Sequence, residues 1–347
     1  MPGATVAAGS NGEDDEVVHD FSPLLLVYAS GRLERPLIVP LVPPDLDAAT
    51  GVESKDVPLS PSTFVRLYLP PGASAGGGDN DKKKAKLPVV VYFHGGGFEI
   101  GSAASRVYHR FLSDLAAASP VGIIPAVAVS VDYRLAPEHV LPAAYDDSLA
   151  ALKWVLSGAD RWLAAHGDLA RMFLAGDSTG GNICHNLAMH RTSVGAVLIH
   201  PWFWGREPVG WAKEHRRRSP RKRKHLWEFV CPGAADGMDD PRMNPSAPGA
   251  PGLESLACER VMVCVAEGDH LRWRGKAYAA VVRARKKKRA DEPVVAAKSW
   301  AEGGGGGPQT AVELFEGGLG HVFYLLDPEM EEAKRLLGRI AAFVSAK

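Results

Sequence analysis

The sequence predicts an α/β fold: a mostly parallel sheet with helices on both faces. Two observations predict it. Short β-rich runs alternate with helical stretches along most of the chain, as a parallel sheet requires. The runs Leu87–Phe93 and Val194–Ile199 are apolar throughout rather than alternating, which is how strands buried on both faces read.

Strands are expected at 64–69, 88–93, 123–131, 171–175, 194–200, 260–266 and 311–315, where β-rich residues cluster. Helices are expected between most of them, at about 104–118, 143–157, 180–190 and 274–287. The loop joining 64–69 to 88–93 holds no helix, which predicts an antiparallel hairpin at the start of the sheet. Met330, Ala333, Leu337, Ile340 and Val344 share one face of a last amphipathic helix over 328–345, opened by Pro328. The piece 201–259 breaks the rhythm. It holds Trp202, Phe203, Trp204, Trp211 and Trp227, a basic stretch and a Pro/Gly/Met/Asn-rich tail, and it reads as an insertion capping a site. Residues 1–16 are expected to be disordered, and 72–86 and 303–308 to be flexible loops.

The chain has 347 residues, 46% of them hydrophobic and 23% charged. That is long enough to bury a core without metals or disulfides. Lys+Arg and Asp+Glu both number 40, so neither nucleic acid nor an anionic membrane is an expected partner. Cys184, Cys231, Cys258 and Cys264 form no C-x-x-C pair, so no zinc site is expected and all four read as reduced thiols. The acidic start has no secretory character, and Leu24–Val27 is too short to span a bilayer. A cytoplasmic protein is expected. The run 216–224 has the composition of a nuclear import signal. A solvated face is the preferred reading of it, with entry into the nucleus as the second.

Chemistry enters at Gly176-Asp177-Ser178-Thr179-Gly180, which matches G-x-S-x-G between an expected strand and an expected helix. That setting holds a serine hydroxyl out on a tight turn, at a helix N-terminus that favours negative charge. His94-Gly95-Gly96-Gly97-Phe98 follows another expected strand. Consecutive glycines can turn their N–H groups toward an oxyanion. Gly96, Gly97 and Thr179 are the expected donors, and His94 is expected to brace the loop. A phosphate cradle is disfavoured because neither Lys-Ser/Thr nor G-x-G-x-x-G spacing is present.

The serine needs a base, and the base needs a carboxylate. His185 and His190 lie on the helix leaving the turn, and His215 and His225 lie in the expected cap. His321 alone follows the final expected strand in a glycine-rich loop, and it is the expected base. The acid should end the strand before it. Asp269 is preferred, with Glu267 as its rival. Asp132 and Arg134 are expected to brace a loop, and Asp146 and Asp147 to suit a helix dipole.

These residues resemble the plant carboxylesterases of the hormone-sensitive-lipase group of α/β hydrolases. The resemblance is carried by His94–Phe98, Asp132-Tyr-Arg-Leu-Ala-Pro-Glu138, Gly176-Asp-Ser-Thr-Gly-Gly-Asn182, Ala266-Glu-Gly-Asp269 and Gly320-His-Val-Phe323. Thr50–Val57 and Asp239–Pro245 add more family-specific matches. It implies a mostly parallel eight-stranded sheet, flanking helices and a helical cap from 17–50 and 202–245 on one domain, 17–347. It also implies the triad Ser178, Asp269 and His321, a small-molecule ester substrate and no cofactor. Hydrolysis of a small to medium hydrophobic ester through an acyl-enzyme is the expected activity. A non-catalytic hormone-like receptor and a 2-hydroxyisoflavanone dehydratase-like lyase are the alternatives on the same scaffold. Three residues depart from the family pattern. Thr179 stands where alanine is usual, Trp273 replaces an acidic residue, and 216–224 is unusually basic for a cap.

Overall fold

A computed structural model describes residues 15–73, 85–117, 124–190, 193–210, 226–291 and 312–346. The basic run 216–224, Trp211, His215, His225, the glycines of 303–308 and most of the 1–16 and 72–86 segments lie outside these residues. The chain divides into two compact units, Met1–Ile38 and Val39–Lys347.

The first unit is a three-stranded antiparallel sheet of β1 (Val17–Asp20), β2 (Leu26–Tyr28) and β3 (Leu33–Glu34). Arg32 stacks its guanidinium 3.4 Å over the Tyr28 ring, and the Tyr28 hydroxyl donates to Glu34 at 2.7 Å.

The second unit is built on an eight-stranded sheet. Its strands are β4 (Glu53–Ser60), β5 (Thr63–Leu69), β6 (Leu87–Phe93), β7 (Val127–Asp132), β8 (Gly167–Asp177), β9 (Ser193–Ile199), β10 (Cys258–Ala266) and β11 (Val312–Gly317). Their spatial order is β11-β10-β9-β8-β6-β7-β5-β4. All pairings from β11 through β7 are parallel, while β5 runs antiparallel to β7 and β4 to β5. The helices are α1 (Arg106–Ala117), α2 (Ala143–Ser157), α3 (Arg161–His166), α4 (Thr179–Ala188), α5 (Arg272–Asp291), α6 (Phe323–Leu326) and α7 (Glu331–Ser345). Residues 226–230 are also helical.

The apolar β6 run is explained by a core on each side. Val89, Val91 and Phe93 enter one core with α2 to α5, and Val90 and Tyr92 enter the other with α1, α6 and α7. The four cysteines are buried and unpaired. No helix among the described residues is long and apolar enough to cross a membrane.

The expected helical contribution of 17–50 to a cap is not found, since no residue of 15–50 is helical. Three other readings need correction. The strand at 63–69 does not pair with 87–93; its partners are β4 on one side and β7 on the other. The hairpin is therefore β4–β5, and β4 escaped the sequence reading because it is a polar edge strand containing Pro58. Proline is tolerated in a sheet mainly at such edges. Third, α7 begins at Glu331, not Pro328, and its buried face includes Leu336, as deep as Ile340 (both 0% exposed), while Leu337, expected on that face, is half-buried.

Leu336→Ala should therefore cost about 2–5 kcal/mol, and Leu337→Ala clearly less, in urea unfolding monitored by circular dichroism. The reverse ranking would contradict the packing of this helix.

Candidate active site

β8 runs straight into a sharp turn and then α4. At the turn, Ser178 has φ 51° and ψ −115°, a backbone conformation costly for any residue with a side chain. Close packing holds it there. The Ser178 N–H donates to Ile199 O at 2.9 Å, and its carbonyl accepts from Trp202 N–H at 2.8 Å. A Cβ on Gly180 would lie 1.9 Å from Phe93 O, and one on Gly176 2.6 Å from the same atom. Only glycine fits at either position, so the end of β6 dictates both glycines of the motif.

The glycine loop after β6 meets the same demand. Gly96 and Gly97 have φ 113° and 70°, and a Cβ on Gly96 would meet Ile100 O at 2.1 Å. Among the described residues, no protein acceptor takes the N–H of Gly96, Gly97 or Thr179. The Thr179 N–H heads α4, where helix amides are unpaired, and its side chain is buried.

Beneath the glycines, His94 is buried and stacks on Tyr133 at 4.2 Å between ring centres. Its Nδ1 lies 2.7 Å from Gly95 O, so that nitrogen donates. Burial holds the ring neutral by lowering its pKa. The Tyr133 hydroxyl donates to His94 O at 2.6 Å. Asp132 braces the next loop by accepting from Ser102 Oγ and the Ala103 N–H. Asp147 serves Arg134 through a two-pronged ion pair rather than the helix dipole alone.

Asp177, absent from the sequence reading as a site residue, ties the serine turn to the glycine loop. Its carboxylate accepts from Tyr92 (2.7 Å), the Gly95 N–H (2.9 Å) and Tyr108 (3.2 Å). Burial pushes its pKa up to about 6 against these hydrogen bonds and the His321 charge.

His321 Nδ1 lies 2.7 Å from Asp269 Oδ2. A carboxylate only accepts, so Nδ1 carries the proton and Nε2 is left as the basic nitrogen. Burial would raise the Asp269 pKa, but the His321 hydrogen bond and charge and the Leu271 amide outweigh it and hold it below the usual value. Glu267 is exposed. His270 is 54% exposed and only approaches Asp269, at 3.6 Å. His185 lies apart, against Tyr278, and burial lowers its pKa to about 3. Trp273 packs beside Arg272 and Lys276 rather than against the carboxylate.

One link is open: no hydrogen bond joins Ser178 to His321 among the described residues. Such bonds are commonly loose before substrate arrives. His321, the expected base, also comes from farther away than its sequence position implied, because β9 and β10 lie between β8 and β11.

His200, the first residue after β9, was likewise not singled out in the sequence. A ring nitrogen of His200, a carboxylate oxygen of Asp269 and a ring nitrogen of His321 lie within 4.8 Å of one another. The spacing would suit a cation, but His321 Nδ1 is committed to Asp269 and His200 Nδ1 to the Val322 amide. Positive φ offers a further signal. Among the described residues, the non-glycine positions that adopt it are Phe98, Ser178, His200 and Val322, all in the loops that follow β6, β8, β9 and β11. Backbone strain of this kind gathers at functional sites.

The expected cap aromatics are partly core. Trp202, Phe203 and Trp227 are buried with the α2–α5 core. Trp204 is half-buried, with its ring 6.4 Å from His270, which stands 6.3 Å from His321.

Residues 90–294 match a family model described as alpha/beta hydrolase fold. The chain is 38% identical to probable carboxylesterase 13 of Arabidopsis thaliana, over 95% of this chain and 98% of that one. It is equally 38% identical to the 2-hydroxyisoflavanone dehydratase of Glycyrrhiza echinata, over 95% and 96%. Among solved structures, an esterase from Pyrobaculum calidifontis superposes with a TM-score of 0.58 at 27% identity, covering 85% of this chain and 84% of that one.

Asp177 gives the site a pH signature. Its folded pKa, about 6, stands above its ordinary 3.8. Between these values the folded state binds more protons, so this group's contribution to stability falls as pH rises from about 4 to 6. Asp177→Asn removes that fall. In urea unfolding, the variant should gain on the parent by about 1–3 kcal/mol between pH 4 and pH 7. A gap that stays constant, or moves the other way, would contradict the buried charge.

Proposed function

The chain belongs to the alpha/beta hydrolase fold family and is a carboxylesterase; from that premise we propose that its triad is Ser178, Asp269 and His321, with Gly96, Gly97 and Thr179 as oxyanion donors. The observation that carries the proposal is the His321–Asp269 hydrogen bond of 2.7 Å, on the same sheet edge as a serine held at φ 51°. His321 Nε2 takes the Ser178 proton as Oγ attacks the ester carbonyl. The carbonyl electrons move onto oxygen, where the three N–H groups receive the charge. Collapse of this intermediate breaks the ester C–O bond, and His321 returns its proton to the leaving alcohol. Water then attacks the acyl-serine by the same path, releasing the acid and restoring the serine. Asp269 holds the imidazole tautomer and offsets the positive charge that forms.

The substrate is proposed to be an ester of small to medium size with an apolar group. Trp204, on the His270–His321 side of the site, offers an apolar ring to such a group. The cytoplasm remains the proposed location, since four buried, unpaired thiols suit a reducing compartment. A lyase is the second reading, because the dehydratase relative matches at the same identity as the carboxylesterase.

Parent, Ser178→Ala and His321→Ala should be compared on p-nitrophenyl acetate, butyrate and octanoate. Either variant should lose about a million-fold in turnover if the triad acts as a unit. A folded parent inactive on all three esters, yet releasing water from a 2-hydroxyisoflavanone, would replace hydrolysis with elimination.

A further inference from the structure

His200 lies on β9's exit, between the strand that carries Ser178 and the strand that carries Asp269. It is 1% exposed, and its own N–H is fixed to Cys264 O on β10 at 2.8 Å. Its Nδ1 is 2.9 Å from the Val322 nitrogen. An amide N–H can only donate, so Nδ1 is the acceptor and the ring carries its proton on Nε2. That Nε2 is buried without a hydrogen-bond partner.

Val322 is the residue after His321, and it sits at φ 49°, an unfavourable backbone for a β-branched residue. It also precedes α6, so its N–H is one that the helix cannot satisfy. Something outside the loop must hold it. The loop leaves β11 at the sheet's outer edge and must turn back toward the end of β10 for His321 to meet Asp269. Within the loop, Glu267 N–H donates to Gly317 O and Gly268 N–H to Leu319 O, which tie its first part to β10's exit. The return past His321 rests on the His200–Val322 bond.

We propose that His200 is a positioning residue: by accepting the Val322 N–H it fixes the turn that returns His321 to Asp269. The role needs an uncharged ring. Burial and the nearby His321 charge push the His200 pKa down to about 3. No second positive charge then opposes the imidazolium that forms during ester cleavage. The proposal rests on His321 being the base.

The test compares the parent with His200→Leu, His200→Asn and His321→Ala on p-nitrophenyl butyrate, with kcat normalised to the folded fraction. Leucine keeps apolar bulk and removes the acceptor. It should lower kcat roughly tenfold to a hundredfold with KM within about twofold. Asparagine places Oδ1 near the position of Nδ1 and should recover most of the loss. Equal losses in both variants, or a loss confined to KM, would overturn the role. Nitrogen-15 NMR of the parent needs no folded variant. It should find His200 with Nδ1 unprotonated and Nε2 protonated at pH 7, and a protonated Nδ1 would overturn the proposal. Activity retained in His321→Ala would overturn the base itself. Activity lost in His321→Ala but untouched in His200→Leu would remove only the role of His200.

Discussion

The crossing of the β8–α4 turn over the end of β6 sets the terms for everything around it. Phe93 O approaches so closely that the positions of Gly176 and Gly180 cannot carry a Cβ. With both sides of the turn pinned, Ser178 is left at φ 51°, and the strain is repaid by backbone bonds to Ile199 and Trp202 and by the packing of two cores. The same closeness lets Asp177 reach the Gly95 amide. One contact between strands thus orients Ser178, the candidate nucleophile, and the first residues of the glycine loop together.

The remaining parts arrive by sheet order. β6 supplies the glycine loop, β8 Ser178, β9 His200, β10 Asp269 and β11 His321. Each stands at the carboxyl end of a parallel strand, where α/β folds gather their sites. Placing a base on the outermost strand has a cost: its loop must turn back toward the end of β10. The positive φ values at His200 and Val322 fall on that return. The two buried histidines at this edge, His94 and His200, are both held toward neutrality by burial. The half-exposed His321 is the ring paired with a carboxylate. Burial thus divides three similar rings into two supports and one candidate base.

Much of this was legible in the sequence because it is local. The strands at 87–93 and 193–199 betrayed themselves by the unbroken apolar runs Leu87–Phe93 and Val194–Ile199. The two glycine motifs were legible because close backbone approach leaves no other residue type. β4 was missed because an edge strand needs few apolar residues and can hold Pro58. The false 64–69/88–93 hairpin came from taking sequence neighbours as sheet neighbours, when β7 inserts between them. His200 and Asp177 were missed for a related reason. His200 belongs to no spacing pattern and Asp177 fills an unspecified position of G-x-S-x-G, and their partners are 122 and 82 residues away in sequence.

In the proposed triad, Ser178 is a nucleophile activated by His321. Intact-mass spectrometry with a fluorophosphonate tests it most directly, because only an activated serine takes the phosphonyl group with loss of fluoride. One adduct per chain is expected, mapped to the peptide that holds Gly176–Gly180, with loss of that adduct in His321→Ala. An adduct on another residue, or equal labelling of Ser178 without His321, would contradict it.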